Sequence, residues 1–152
     1  MNGRILIAEA GGERIALYLE QVAEVREQTA SFPLPFGPPF LGRAISDKGR
    51  LTPVLDTALF LGRGALSLPG RILVIAGDGV NLALQVDRVT DIIMGDAVTG
   101  EQTTVEEPFS AMLVLPCGTA PLLSPGQLLR MLERSLAGRG GEKPVEGAPT
   151  WT

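Results

Sequence analysis

Glycine and proline interrupt this chain so often that no long regular element can form across most of it. Nineteen Gly and twelve Pro are spread over 152 residues. Such punctuation favours many short strands joined by tight turns over a helical bundle. Apolar runs fill the gaps. Arg4 to Glu9 reads RILIAE, Gly11-Gly12 breaks it, and Glu13 to Leu19 reads ERIALYL. Two short runs around a Gly-Gly turn predict a β-hairpin. Arg71 to Ala76 (RILVIA), a Gly77-Asp78-Gly79 turn and Asn81 to Val86 (NLALQV) repeat the arrangement. RILIAEAGGERIALYL and RILVIAGDGVNLALQV therefore read as a weak internal duplication, two similar small β units.

Between and after these hairpins the same logic gives further elements. QVAEVRE, residues 21–27, is one more strand or a single helical turn; so short a piece has no decisive period. SFPLPFGPP, residues 31–39, carries four prolines and is an extended connector or sheet edge. Phe40 to Ser46 and Leu51 to Leu55 are strands around an Asp47-Lys48-Gly49 turn. Asp56 to Leu61 is one helical turn with Asp56 near its start, stopped by Gly62. Residues 62–70 form a linker. Val89 to Met94, Ala111 to Leu115 and Pro121 to Leu123 complete the strands. From Ser124, the expected N-cap, followed by Pro125, apolar positions Leu128, Leu129, Leu132 and Leu136 line one face of a helix that Gly138 should stop.

Composition removes several function classes. The chain has no histidine, so Ser-His-Asp and Cys-His constellations and histidine-based metal sites are excluded. The only cysteine, Cys117, allows no intramolecular disulfide and is expected to be a small buried apolar residue. Net charge is −4, which gives no reason to expect nucleic acid as a partner. The apolar stretch before Glu9 is too short for a signal-peptide core, and nothing approaches the roughly 20 apolar residues of a membrane helix, so no direct membrane insertion is expected. A cytoplasmic location follows as the expectation. GRGALS lacks the Gly-Lys-Ser/Thr of a phosphate loop, and no cofactor motif is present. Glu106-Glu107 and Asp87…Asp91 read as solvated loop charge. Function then has to reside in surfaces, above all in exposed strand edges and a groove between two barrels.

Residues Glu13 to Asp56 carry a resemblance. Gly11-Gly12-Glu13, Val22-Ala23-Glu24-Val25, the proline-flanked connector, the turn Ser46-Asp47-Lys48-Gly49 and the strand end Pro53-Val54-Leu55-Asp56 are similar, in order and spacing, to the CheW-like chemotaxis coupling family. Family members show Gly-x-Glu, Val-x-Glu-Ile/Val, Asn-Leu-Arg-Gly and Pro-Val-Ile/Leu-Asp at these places. LALQVDRV (82–89) resembles the family's Val-Asp-x-Val strand, and Leu122-Leu123-Ser124 its terminal Leu-Leu-Asp. The likeness spans residues 4 to 133.

The resemblance implies a mainly β fold of two intertwined five-stranded SH3-like barrels with a C-terminal α-helix. It sets a single domain with subdomains near 13–69 and 70–123 and leaves open an exchange of residues 1–12 between them; the apolar spacing adds a helix at 125–137 that closes the domain at 138, and Gly/Pro-rich polar composition predicts a disordered tail at 139–152. The resemblance implies no enzyme activity and no cofactor. It also implies two partners, the cytoplasmic tip of a methyl-accepting chemoreceptor and the regulatory domain of a CheA-like histidine kinase. By the same resemblance Val22, Glu24, Val25, Ile45, Ser46, Lys48 and Val86 form the partner interface, Lys48 taking the place of the turn arginine. Lys48 for arginine, Arg43 for the usual glycine, Ser46 for asparagine and Ser124 for aspartate are departures. They leave open a divergent adaptor that keeps one interface in a motility, pilus or gliding pathway. A small-ligand-binding barrel is the alternative from another class.

Overall fold

A computed structural model describes residues 3–35, 37–65, 70–77, 79–103 and 106–140. The apolar runs form twelve strands: β1 Arg4–Ala10, β2 Glu13–Tyr18, β3 Val22–Glu27, β4 Phe32–Pro33, β5 Arg43–Asp47, β6 Arg50–Asp56, β7 Arg71–Ile75, β8 Ala83–Val86, β9 Arg88–Met94, β10 Gly100–Gln102, β11 Phe109–Leu115 and β12 Gly118–Leu123. One helical turn, α1, covers Thr57–Phe60, and a longer helix, α2, covers Pro125–Gly140.

The strands make two six-stranded sheets. Sheet I runs β10-β11-β12-β2-β1-β9 and sheet II runs β3-β7-β8-β6-β5-β4. These fit the two SH3-like domains expected, with six strands in each rather than five. The additional member is a two-residue edge piece in one sheet (Phe32–Pro33) and a three-residue piece in the other (Gly100–Gln102). Proline lacks a ladder donor, so Pro33 belongs at an edge.

The two sheets repeat one another in register. β1 and β2 form an antiparallel hairpin in sheet I, β7 and β8 in sheet II. β2 then pairs parallel with β12 through Ala16 and Leu122, and β8 pairs parallel with β6 through Ala83 and Val54. β9 flanks β1 across a bulge at Ile7/Ala8, and β3 flanks β7 across a bulge at Val22/Glu24. The duplication suggested by the two RIL hairpins is thus the repeat of a whole unit. One unit is β3 to β8; the other is β9 to β12 completed by the N-terminal hairpin.

That arrangement corrects the expected division near residue 70. The units change at Asp87, and the RIL hairpins close their barrels rather than open them. Not only residues 1–12 but the whole hairpin through Tyr18 belongs with β9 to β12. The helices obey the same repeat. Pro53-Val54-Leu55-Asp56 leads into α1, where the Asp56 carboxylate accepts from the Leu59 N–H at 3.0 Å. Pro121-Leu122-Leu123-Ser124 leads into α2, where Ser124 Oγ accepts from the Gln127 N–H at 3.3 Å. Each cap satisfies a donor that the first helical turn leaves orphaned.

Strand alternation explains why the central runs are apolar throughout. Ile5 and Ile7 join Ala16, Leu113 and Leu122 inside the first barrel, while Leu6, Ala8 and Ala10 face the other way. Ile72 and Val74 join Ile45, Val54 and Ala83 inside the second, while Leu73 and Ile75 face the other way. The outward sets meet in one junction core with Ile15, Leu17, Leu55, Leu84, Val86 and Leu123. A strand buried on both faces loses the polar half of the usual alternation. Leu128 and Leu132 of α2 are buried in the junction core and Leu129 and Leu136 pack against it. The C-terminal helix therefore packs on its own barrels.

Local expectations fail in four places. Residues Pro39–Leu41 form a 3-10 turn, so the strand expected from Phe40 starts at Arg43; proline at the first turn of a helix has the right φ already. The α2 helix continues through Gly138, because a single glycine costs a helix only about 1 kcal/mol. Cys117 is exposed, since it stands in the turn between β11 and β12. Asp87 is buried and accepts from the Gly12 N–H at 3.0 Å, so it holds the tip of the β1–β2 hairpin rather than being a solvated loop charge. The expected tail from residue 141 onward, with Trp151, and part of the 62–70 linker lie outside the described residues.

Candidate functional site

The junction core ends at the last strand of each sheet, and both strands carry exposed apolar side chains. On β3, Val25 is 46% exposed and stands opposite Leu73, a residue of the junction core. On β9, Ile92 is 48% exposed and stands opposite Leu6, also of the junction core. Directly opposed residues project from the same face of a sheet. Val25 and Ile92 therefore lie on the junction-facing side of their strands, where the core opens to solvent. Met94, two residues beyond Ile92 on the same face, is 57% exposed. Both strands end their sheets, and on β9 the Ile92 N–H donates to the Asp91 carboxylate at 2.8 Å.

The β3 edge adjoins a charged turn. Arg26 stands opposite Ile72 and reaches to the β5–β6 turn. Its guanidinium donates to the Ser46 carbonyl at 2.8 Å and to Asp47 Oδ1 at 2.9 Å, and it also pairs with the Glu24 carboxylate. Lys48 and Gly49 form the two-residue loop of this hairpin with φ of 52° and 79°. Two successive positive φ values are the mark of a type I′ turn, which normally selects Asn-Gly or Gly-Gly. Lys48 is the one non-glycine residue with positive φ among the described residues. A long cationic side chain thus occupies a position where glycine or asparagine would be less strained. Lys48 is exposed, and no ion pair of Lys48 occurs among the described residues.

The residues expected to form the partner interface separate into two groups. Glu24, Val25, Ser46 and Lys48 are exposed, and Arg26 brings their two segments together. Val22 is half-buried and packs on the junction core. Ile45 and Val86 are corrections. Both are 0% exposed, Ile45 inside the second barrel and Val86 in the junction core. They can act on a partner only by supporting the surface.

Sequence reasoning missed Arg26, Asp47, Ile92 and Met94. One signal could have found Ile92: Val89-Thr90-Asp91-Ile92 has the same pattern as Val22-Ala23-Glu24-Val25, and the bulged registers place the two at equivalent points of the two sheets. Arg43, the departure in β5, donates from Nε to Ser31 Oγ at 2.7 Å and from a terminal nitrogen to the Ser31 carbonyl at 3.0 Å. It borders an open hollow of about 710 Å³ shared with Gln28, Asp56, Leu59 and Gln85. Among the described residues no three Cys, Asp or Glu side chains cluster closely enough to hold a metal ion.

The CheW-like domain family matches residues 4–133. The chain belongs to the CheW-like family. A solved relative shares the architecture: the scaffolding protein TtCheW from Thermoanaerobacter tengcongensis matches with a TM-score of 0.70 and 19% identity, over 82% of this chain and 86% of that one. At that identity the likeness concerns the fold. No curated protein matches this CheW-like chain. Within the described residues no helix is long and apolar enough to cross a membrane.

Proposed function

We propose that this chain is a non-catalytic cytoplasmic adaptor that couples the cytoplasmic tip of a methyl-accepting chemoreceptor to a CheA-like histidine kinase. The observation that carries the reading is the open margin of the junction core, where Val25 on one edge strand and Ile92 on the other stand about half exposed. An amphipathic segment lays its apolar face on such a surface and its charged flanks on the rim. Here the rim supplies Glu24 and Lys48. Membership of the family and the likeness to a scaffolding protein support the adaptor class. The receptor tip is the occupant of this margin, and the outer barrel surfaces remain for the kinase domain.

The test is titration of the purified chain with a soluble receptor-tip fragment, repeated with Val25→Glu, Ile92→Glu and Lys48→Glu. All three positions are exposed, so melting should stay within a few degrees of the parent, as surface changes usually do. Affinity should fall with each. Parent-like affinity in all three, with melting unchanged, would remove the receptor from this surface.

A further inference from the structure

Arg26 sits at the centre of a contact that the fold itself does not require. The two sheets repeat in register, which gives each residue of one barrel a counterpart in the other. Arg26 opposes Ile72 on β7, and the counterpart pair in sheet I is Ile93 opposite Ile5. Asp47 closes the β5–β6 ladder opposite Arg50, and its counterpart Leu115 closes the β11–β12 ladder opposite Gly118. In the first barrel, then, the matching pair is Ile93 and Leu115, both packed in its apolar core. The same closure is made in the second barrel by an ion pair whose side chains are only 22% and 12% exposed. An apolar pair does the structural work in one copy of the unit. Even a buried ion pair is often no more stabilising than such a pair, so this part-buried one invites a role beyond closing the barrel.

We infer that Arg26 is the positioning residue of the receptor-facing surface. This rests on the reading of that surface given above. A guanidinium is a rigid fork with donors on several sides. Arg26 directs one toward Glu24 on its own strand, one toward Asp47 Oδ1 and one toward the Ser46 carbonyl. The edge of β3 and the turn that carries Lys48 thereby become one surface with fixed spacing. Glu24 is engaged at the rim, and the backbone of the exposed Lys48, at positive φ, is carried by the turn that Arg26 ties to β3. Lysine at position 26 could not reproduce this, because an ammonium is a point charge that cannot hold three acceptors in that geometry. Asp47 belongs to the device. It stands where the first barrel has Leu115, and it gives the turn a charge for Arg26 to grip.

Two variants test this, each with a readout that needs no partner. Arg26→Lys keeps the charge beside Asp47 and should fold. Its backbone amides at residues 46–49 should exchange hydrogen faster than the parent's, while those of Leu115, Cys117 and Gly118 at the matching turn stay unchanged. If the competent arrangement falls to about a tenth of the population, affinity for the receptor-tip fragment falls about tenfold. The double variant Arg26→Ile/Asp47→Leu copies the closure of the first barrel. It should melt at or above the parent temperature and still bind weakly. Parent-like affinity in the double variant would show that Arg26 merely closes the barrel and would overturn the inference. Unchanged exchange at 46–49 in Arg26→Lys would overturn it as well. Failure of the parent chain to bind the fragment would instead refute the receptor reading, leaving the exchange result to decide whether Arg26 holds the turn.

Discussion

Replacing Gly11 by alanine should damage this protein far more than the same change at Gly12, one residue away. Both glycines form the β1–β2 turn, and both have positive φ, 66° and 82°. The left-handed conformation costs an L-residue roughly 1–2 kcal/mol, and this term applies to both. Their surroundings differ. A Cβ on Gly12 meets nothing within 4 Å, whereas one on Gly11 would lie 2.2 Å from the Arg63 carbonyl oxygen and 3.2 Å from the Ala58 Cβ. The Arg63 backbone would have to move. It is tied by its N–H to the Ala58 carbonyl at 2.8 Å, and its side chain pairs with Glu13 and lies 5.1 Å from the Phe109 ring centre. Forced overpacking of this kind adds about 1–3 kcal/mol. Gly12→Ala should therefore lose about 1–2 kcal/mol and Gly11→Ala about 2–5 kcal/mol. For a protein of this size each kcal/mol lowers the melting temperature by about 2–4 °C. Urea unfolding followed by far-UV circular dichroism gives the difference directly. Equal losses at the two positions would show that the hairpin tip does not seat on the segment following α1. The account of how the N-terminal hairpin is locked across the two units would then fail.

Two other outcomes check separate parts of the structure. Leu128→Ala removes a fully buried α2 side chain from the junction core and should cost about 2–5 kcal/mol in urea unfolding; a loss below about 0.5 kcal/mol, the scale of surface changes, would mean that the helix does not pack on the barrels. Lys48→Gly relieves the strain at φ 52° and should stabilise the chain by about 0.5–1 kcal/mol while weakening receptor-tip binding. A gain in stability with unchanged binding would detach Lys48 from function.

What the sequence disclosed and what it concealed divide along the range of the interactions. The RIL hairpins, the Asp56 and Ser124 caps and the Lys48-Gly49 turn depend on neighbours a few residues apart, so local pattern reveals them. The unit boundary at Asp87 depends on β2 lying parallel to β12, strands from opposite ends of the folded chain. Nothing local in ERIALYL records that choice. Resemblance places a segment at the interface, Ile45 and Val86 included, whereas a strand sends alternate side chains to opposite faces. Ser46 faces out where Ile45 faces in. Arg26 and Asp47 escaped notice because charges near a turn are usually solvated. Only the fold shows that one fork bridges two strands.

The most direct test of the adaptor reading is affinity purification of a tagged chain from its native host, with the recovered proteins identified by mass spectrometry. The account predicts a methyl-accepting receptor together with a CheA-like kinase, the receptor depleted and the kinase retained when Val25 and Ile92 are replaced by glutamate. Recovery of neither protein, from a chain that is folded and expressed at its normal level, would contradict it.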